Sequence, residues 1–362
     1  MSKEFCHTYP TLDEYIRQGE PDKKAKASIW QTAIGLQQVD GLKTSDYLLQ
    51  TARQNIEGYI SVKQARDFID GYYQTEQSRH EIENDDTEEA DKVSARIAEL
   101  LSEKAFTFSP AQLIAIHKHL FWGIYKFAGK VRDYNISKRE WVLDGETVFY
   151  ASSDMIRETL DYDFAQEKNF DYSTVNINQA ISHLTQFCCN IWQIHPFGEG
   201  NTRTTAVFMI KYLHTLGFMV NNNIFANNSW YFRNALVRAN YTNVVKNISY
   251  NNTYLELFFR SMLLNEQHTF QNRMLHIKWN EPPIIQSAVQ SANLSPKCKN
   301  CTLEEVAVLR LIQQNPSATQ KQIAQQIGKS ERTIKSITVR LNEQGIIVRK
   351  NGKRNGYWEI SE

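Results

Sequence analysis

The sequence predicts a mainly α-helical protein, in which a helical bundle carries one β-hairpin and is followed by a C-terminal winged helix-turn-helix domain. Apolar residues recur at helical spacing through most of the chain, most clearly over residues 177–194. An Asp-Gly turn flanked by β-forming residues interrupts this pattern at residues 141–149. Residues 301–362 show a helix-glycine-helix pattern followed by two strand-like runs, which is typical of a winged helix.

Composition bounds the function. The 362 residues are enough for two or three domains, and the formal net charge of +1 predicts no general attraction to nucleic acid or membranes. The chain shows no signal core and no apolar run of membrane-spanning length, so we expect a cytoplasmic protein that stays out of membranes. The five cysteines suit reduced thiols, and the pair Cys298 and Cys301 lacks the second pair that a zinc site would need.

The first well-defined helix spans residues 45–58. Ser45 or Asp46 supplies its N-cap, and Gly58 is a typical residue just beyond a helix C-terminus. Glu57 lies in the last turn, where the helix dipole disfavours a carboxylate. This conflict predicts a cationic partner for Glu57 from elsewhere in the chain, and the alternative is an exposed glutamate at an ordinary helix end.

Three features of the next stretch are interpreted as structural. A second helix is predicted over residues 62–73. The acidic run at residues 81–91 is interpreted as a solvated linker or helix face without chemistry of its own. A capped helix begins at Ser109, and its His117 and His119 point to different faces because they are two positions apart, which favours packing over metal binding.

The loop at residues 195–203 is the centre of the chain. It joins the long helix before it to a second segment, residues 204–216, that is apolar nearly all round. Pro196 ends the first helix, while Gly198 and Gly200 allow the backbone to bend sharply. Free backbone N–H groups and the positive end of a helix dipole make such a loop an anion-binding site.

This loop resembles the signature of the Fic family, His-x-Phe-x-Asp/Glu-Gly-Asn-Gly-Arg-x-x-Arg, whose members mostly transfer AMP from ATP to a hydroxyl on a target protein. The matching residues are His195, Pro196, Phe197, Glu199, Gly200, Asn201 and Arg203. Two positions depart from the signature, because Thr202 replaces its second glycine and Ala206 replaces its last arginine. The resemblance implies a Fic-type helical bundle and the substrates ATP and Mg²⁺.

The chemistry of the loop agrees with that activity. His195 suits the general base, because a histidine with an ordinary pKa accepts a proton near neutral pH. Glu199 suits Mg²⁺, which often binds one carboxylate together with phosphates. The residues that the resemblance places around ATP are Glu57, His195, Gly200, Asn201, Thr202, Arg203, Thr204, Thr205 and Asn234. The missing arginine at Ala206 removes a charge-assisted phosphate contact worth about 1.5–3 kcal/mol when buried.

The helix at residues 45–58 resembles the inhibitory helix of self-restrained Fic proteins, Ser/Thr-x-x-x-Glu-Gly/Asn, whose glutamate blocks productive ATP binding. Glu57 and Gly58 fit this pattern, while Arg53 occupies the Ser/Thr position. The arginine that pairs with the glutamate in the family is Ala206 here, so the resemblance points to Arg203 as its substitute. The ordinary helix end stays open as the alternative.

Residues 129–138 resemble the segment that precedes the target-binding hairpin of the family, and residues 141–149 would be that hairpin. In the family this flap pairs with the backbone of the target as an added strand. A plain surface hairpin is the alternative.

Beyond the loop, residues 221–229 contain five asparagines and are predicted to form a polar loop before a helix over 230–240. The core closes near Leu264, and residues 266–296 look like a linker with one helix at most. We therefore expect an N-terminal helical region at 1–94, a catalytic core at 95–265, a linker at 266–300 and a winged helix at 301–362.

The C-terminal segment predicts an amphipathic helix over 303–313, helices over 319–327 and 330–344, and then two strands. From Thr302 onward, ten Lys or Arg stand against six Asp or Glu. The candidate phosphate contacts are Arg332, Lys335, Arg340, Arg349, Lys350, Lys353 and Arg354. Small winged helices also serve in dimerisation and protein docking, so DNA binding and protein binding both stay open.

These patterns lead to two hypotheses. The first is a protein adenylyltransferase, restrained by Glu57, whose partner is a target protein hydroxyl, with self-modification and a homodimer as further expectations. The second is a DNA-binding transcriptional regulator whose Fic-like core senses nucleotide, which Ala206 and the basic C-terminus favour. Transfer of a different phosphate-linked group by the same loop is a third interpretation.

Overall fold

The computed structural model describes residues 11–74, 85–218, 220, 223–279, 298, 300–352 and 356–361. These fall into two units. The first combines residues 1–105, 115–130 and 222–230, and the second combines residues 106–114, 131–221 and 231–362. In the described residues, no helix is long and apolar enough to cross a membrane.

The N-terminal part of the first unit consists of successive helices. They are α1 Leu12–Gln18, α2 Pro21–Gly35, α3 Asp46–Glu57, α4 Val62–Tyr72 and α5 Asp85–Ser102. The Ser45 side chain accepts the backbone N–H of Leu48 at the start of α3, and Gly58 ends this helix with φ 85°. Both predicted helices, at 45–58 and 62–73, are thereby confirmed. The predicted caps of the first helix are also confirmed.

The described part of the acidic run forms a helix face, one of its two predicted alternatives, but Asp91 departs from the prediction of a solvated segment. Helix α5 takes up residues 85–91, and Asp91 is fully buried. Its carboxylate accepts the backbone N–H and the hydroxyl of Ser45 as well as the hydroxyl of Tyr73. Burial raises the pKa of Asp91. Helical periodicity turns this one acid of the run inward, where it fastens α5 to the start of α3. Residues 81–84 lie outside the described residues.

Helix α6, Pro110–Phe121, carries the two histidines that the sequence assigned to packing. His117 is fully buried, and its Nδ1 accepts the backbone N–H of Gly129 at 2.9 Å. His119 Nε2 lies 3.1 Å from a carboxylate oxygen of Glu99 on α5. The two rings thus have different surroundings, as their spacing predicted.

The second unit is built around α8, Ile177–Ile194, which has the bounds that its apolar periodicity predicted. Asn176 and Gln179 form a capping box at its start. Its neighbours are α7 Ile156–Asn169, α9 Asn201–Thr215 and α11 Thr253–Leu264. An aromatic cluster fills the space between α7, α8 and α9. Its members are Phe108, Phe164, Phe187, Phe208 and Tyr212.

The predicted hairpin at residues 141–149 keeps its turn but has no strands assigned to it. Asp144 and Gly145 have φ of 58° and 84°, as a two-residue turn requires, and the backbone N–H of Glu140 donates to the carbonyl of Glu146 at 2.9 Å. Residues Trp141–Leu143 instead form a 3₁₀-helix. The reason is burial, because the neighbours Val142 and Leu143 are both buried, whereas a strand would send them to opposite faces.

Two predicted loops are more ordered than expected. Helix α10, Asn223–Ala239, includes most of the predicted polar loop, because Phe225 and Ala226 are buried; its kink at Asn228 has φ −134°. Residues 221 and 222 lie outside the described residues. In the predicted linker, residues 266–279 belong to the second unit and pack within it. The hydroxyl of Tyr254 donates to the carbonyl of Met274 at 2.7 Å. Residues 280–297 lie outside the described residues.

The winged helix is confirmed. It comprises α12 Leu303–Gln314, α13 Gln320–Ile327, α14 Glu331–Glu343 and the antiparallel strands β1 Ile347–Lys350 and β2 Tyr357–Ile360. Helix α12 was predicted to be amphipathic but is buried nearly all round. The Arg310 guanidinium donates to the carbonyls of Met262 and Leu263, at 3.1 and 2.9 Å, and thereby fixes α12 to the end of α11.

Cys298 and Cys301 are joined in a disulfide, whereas the sequence predicted reduced thiols. Their separation of three residues within a tight turn brings the two Cα atoms to 4.9 Å, within the range for a disulfide. Cys188 and Cys189 are buried free thiols.

Candidate functional site

The loop between α8 and α9 forms the candidate site. Helix α8 ends at His195, which has a left-handed conformation with φ 49°, and Gly200 has φ 77° at the start of α9. The positive φ favours glycine at position 200. Phe197 is 1% exposed and anchors the middle of the loop in the core. The loop therefore has a fixed shape around the N-terminus of a 15-residue buried helix, which is where an anion binds well.

Asn201 closes this loop. Its Oδ1 accepts the backbone N–H of Phe197 at 3.0 Å, and its Nδ2 donates to the carbonyl of Phe197 at 2.8 Å. The resemblance places Asn201 around ATP, and one N–H of its amide already serves the loop. The side chain therefore fixes the loop, with one further N–H as a donor.

His195 has the features of a general base. Its Nδ1 lies 3.2 Å from the carbonyl oxygen of Trp192, and a carbonyl only accepts, so Nδ1 carries the proton and Nε2 has a free lone pair. The ring lies against Tyr150, with centroids 4.4 Å apart. Burial, followed by the charge of Lys138, holds the pKa of His195 well below its usual value. The imidazole is therefore neutral at physiological pH.

Arg132 holds the end of α8 in place. Its Nε donates to the carbonyl of His195 at 2.8 Å, and the two Nη atoms donate to the carbonyls of Tyr134, Ala151 and Ile194. Arg132 is 4% exposed. Arg132 lies in the segment at residues 129–138, but its role was not predicted from the sequence, because its partners lie up to 63 positions away.

Glu199 carries the half-exposed carboxylate that the sequence assigned to Mg²⁺. Lys138 Nζ lies 2.8 Å from its Oε2, and the Glu199 side chain is 54% exposed. Lys138 was not among the predicted site residues. The described residues contain no group of three His, Cys, Asp or Glu side chains that would hold a metal ion by themselves. Glu199 thus fits a magnesium ion that brings its other ligands with it, as Mg²⁺ bound to nucleotide phosphates does.

The two departures from the signature are accommodated by packing. Thr202 Oγ1 accepts the indole N–H of Trp192 at 3.0 Å, which links the start of α9 to α8. Ala206 is fully buried and contributes only a methyl group. The remaining predicted contacts on α9 are all buried. They are Arg203, Thr204 and Thr205.

An ion pair joins Arg233 to the buried carboxylate of Glu140. Both Nη atoms of Arg233 bind the carboxylate of Glu140, at 2.8 and 3.1 Å, and Glu140 is 1% exposed. Burial, and next the charge of Glu140, raise the pKa of Tyr150, so that its hydroxyl stays protonated. Neither Glu140 nor Arg233 was predicted from the sequence, because the partners lie 93 positions apart.

Asn234, one of the residues that the resemblance places around ATP, lies on α10. Its Nδ2 donates to Oδ1 of Asn272 at 2.8 Å, and the residue is 1% exposed. The structure thus gives Asn234 a role in tying α10 to the 3₁₀-helix Asn272–Leu275.

Glu57 belongs to the first unit, and there it has the cationic partner that the sequence predicted. Lys23 Nζ lies 2.7 Å from Oε2, and the hydroxyl of Tyr15 donates to Oε1. These two hydrogen bonds, that from Lys23 first, lower the pKa of Glu57. Both carboxylate oxygens are therefore engaged by α1 and α2. The pairing of Glu57 with Arg203 stays a prediction.

The basic residues of the winged helix divide into two groups. Arg332 and Lys335 are exposed on α14, the second helix of the helix-turn-helix. The others have local partners. Arg340 binds Glu305, Lys350 binds Glu359, and Arg349 lies over the ring of Trp358. Lys353 and Arg354 lie outside the described residues.

Two parts of the chain match known protein families. Residues 107–213 match the Fic/DOC family, and residues 305–348 match the winged helix-turn-helix DNA-binding family. No curated protein matches the chain. Among solved structures, a Fic family protein from Desulfovibrio desulfuricans G20 is similar with a TM-score of 0.39 and 11% identity. That alignment covers 98% of this chain and 91% of the other.

Proposed function

Because the chain carries a Fic/DOC-family domain at residues 107–213 and a winged helix-turn-helix at residues 305–348, we propose that it is a protein adenylyltransferase. It transfers AMP from ATP to a hydroxyl side chain of a target protein, in the cytoplasm. The observation that carries the proposal is the neutral His195, whose Nε2 lone pair is available beside the N-terminus of α9.

In this reaction the hydroxyl oxygen of the target forms a bond to the α-phosphorus of ATP. The hydroxyl proton passes to Nε2 of His195, and the bond from the α-phosphorus to the bridging oxygen breaks, so that pyrophosphate leaves. The Nδ1 hydrogen bond to Trp192 keeps the imidazole in the tautomer that this proton transfer needs. Arg132 fixes the carbonyl of His195 and thereby the position of the ring.

The phosphates lie against the N-terminus of α9. Backbone N–H groups of the loop face the anion there, and the helix dipole favours negative charge. Asn201 keeps those N–H groups in position through Phe197. The proposed nucleotide contacts are Gly200, Asn201, Thr202, Arg203, Thr204, Thr205 and Asn234, with Glu57 and His195.

Magnesium supplies positive charge to the phosphates when it is bound, and Glu199 is the residue that would hold it. The half-exposed carboxylate of Glu199 already binds a cation, the ammonium of Lys138, at 2.8 Å.

Glu57 is proposed to restrain the reaction, as the likeness of α3 to the inhibitory helix of the family implies. Support comes from the state of its side chain, which Lys23 and Tyr15 keep ionised and held at the end of α3. Once released from Lys23, this carboxylate would oppose the negative phosphates of a nucleotide that comes near it.

Intact-mass spectrometry after incubation with ATP and Mg²⁺ tests both proposals. The samples are wild type, Glu57→Gly, and the double variant Glu57→Gly with His195→Ala. A gain of whole AMP units in Glu57→Gly, absent from the double variant, is the expected result for self-modification. A gain of equal size in wild type would contradict the restraint, and a gain in the double variant would contradict the role of His195.

A second candidate function is a transcriptional regulator whose Fic-like domain senses nucleotide. The exposed Arg332 and Lys335 on α14 favour it, because this helix is the one that enters the major groove in winged helix proteins. Binding of DNA through residues 301–362, with sequence preference unaffected by His195→Ala and no AMP transfer by wild type, would select this function. Homodimer formation belongs to either proposal.

A further inference from the structure

We propose that Lys138 is a phosphate ligand of the nucleotide and supplies a positive charge that Ala206 does not. This inference rests on the proposed function, because it names a further binding residue in the same site. Lys138 Nζ lies 2.8 Å from Oε2 of Glu199, although the two residues are 61 positions apart in the chain. A cation therefore stands at the anion-binding loop without belonging to it.

The position of the Lys138 backbone supports this role. Its N–H donates to Oγ1 of Thr147 at 3.1 Å, so that the turn around Asp144 holds the start of the side chain. The side chain itself is 26% exposed, which keeps it partly accessible to a ligand. A lysine fixed at its backbone and partly exposed at its ammonium group can reach a phosphate without refolding the segment.

The ammonium lies close to the reacting groups. Among the neighbouring charges, that of Lys138 lowers the pKa of His195 more than those of Arg132 and Arg233 do. An ammonium group has three N–H donors, and the Glu199 contact uses one of them. The other two are available to phosphate oxygens that bind between His195 and Glu199.

The chain also lacks the arginine that the Fic signature provides at position 206. Ala206 is fully buried in α9 and presents a methyl group. Arg203 is then the one signature arginine left for a phosphate chain in this loop, so a positive charge from another segment would replace the second. Lys138 is placed to provide it, and a magnesium ion on Glu199 would free the ammonium for the phosphates.

Nucleotide affinity, measured by calorimetry, tests the inference without relying on catalysis. Lys138→Met is expected to weaken binding of Mg²⁺-ATP by about 10- to 100-fold, since a hydrogen bond to a charged group is lost, and to leave the affinity for adenosine unchanged. Arg139→Met is the matched control, because this neighbour is exposed and carries the same charge. It should leave both affinities within about twofold.

A second measurement separates the phosphate contact from simple neutralisation of Glu199. In EDTA, Glu199→Gln releases Lys138 and should tighten binding of metal-free ATP by several-fold. The double variant Glu199→Gln with Lys138→Met should lose that gain. A gain that persists in the double variant would show that Lys138 only neutralises Glu199, and the inference would then be wrong.

The outcomes also separate this inference from the proposed reaction. If Lys138→Met weakens ATP binding but neither the wild type nor any variant transfers AMP, the phosphate contact is supported and the proposed reaction is wrong. If AMP transfer occurs and Lys138→Met binds ATP as wild type does, the reaction holds and the role of Lys138 is wrong. Thermal melts of each variant show that the fold is kept.

Discussion

Replacing Arg132 with methionine should destabilise the protein more than any exposed substitution in the same segment. The guanidinium donates four hydrogen bonds to backbone carbonyls, of which those to His195 and Ile194 are buried. Hydrogen bonds from a charged donor are worth about 1.5–3 kcal/mol each, but bonds made by one group are not additive. Leaving the two buried carbonyls without their donor costs about 1–3 kcal/mol each, so we expect a total of roughly 3–5 kcal/mol.

The assay is unfolding in urea and in a thermal melt. For a domain of 150–250 residues, each kcal/mol lowers the melting temperature by about 2–4 °C, so Arg132→Met should lower it by roughly 6–20 °C. Arg139→Met is the control, and an exposed substitution of this kind should stay within about 0.5 kcal/mol. A loss below about 1 kcal/mol for Arg132→Met would refute the argument that this side chain holds the end of α8.

Three further predictions concern catalysis, packing and DNA. If the proposed AMP transfer occurs, its rate at saturating ATP should stay flat as the pH falls through 6.5, because the depressed pKa keeps His195 unprotonated. Lys138→Met should move the acid limb of this pH profile to higher pH, because it removes a charge that lowers the pKa of His195. Asp91→Ala should cost about 2–4 kcal/mol in urea unfolding, because its buried donors lose their acceptor. Arg332→Ala with Lys335→Ala should weaken DNA binding in gel shifts and reduce the salt slope by about two; an unchanged slope would exclude phosphate contacts there.

Features set by neighbouring residues were predicted well from the sequence. The caps of α3 and the bounds of α8 depend on residues a few positions apart, and they were correct. The loop predicted at 195–203 was found in its place but is three residues shorter, because α9 begins at Asn201. The helix-turn-helix and its two strands were recognised for the same reason, since glycine turns and apolar periodicity are local signals.

Features set by distant contacts were missed. Lys138 looks like any surface lysine until the fold brings it to Glu199, and Asp91 looks like one more acid in a charged run. The 3₁₀-helix at Trp141–Leu143 has β-forming residues, but the burial of two consecutive side chains overrides that preference. In each case tertiary packing, which the local pattern does not contain, decided the outcome.

The position of Arg310 determines what happens when the chain is truncated before α12. Arg310 fastens α12 to the carbonyls of Met262 and Leu263, and α12 presents apolar side chains on nearly every face. A truncated chain that ends near residue 300 would expose apolar surface and leave backbone carbonyls without hydrogen bonds at the end of α11. Chaperones and proteases recognise surfaces of this kind. A nonsense mutation there would therefore remove the domain at residues 107–213 together with the winged helix, rather than leave the first of them folded on its own.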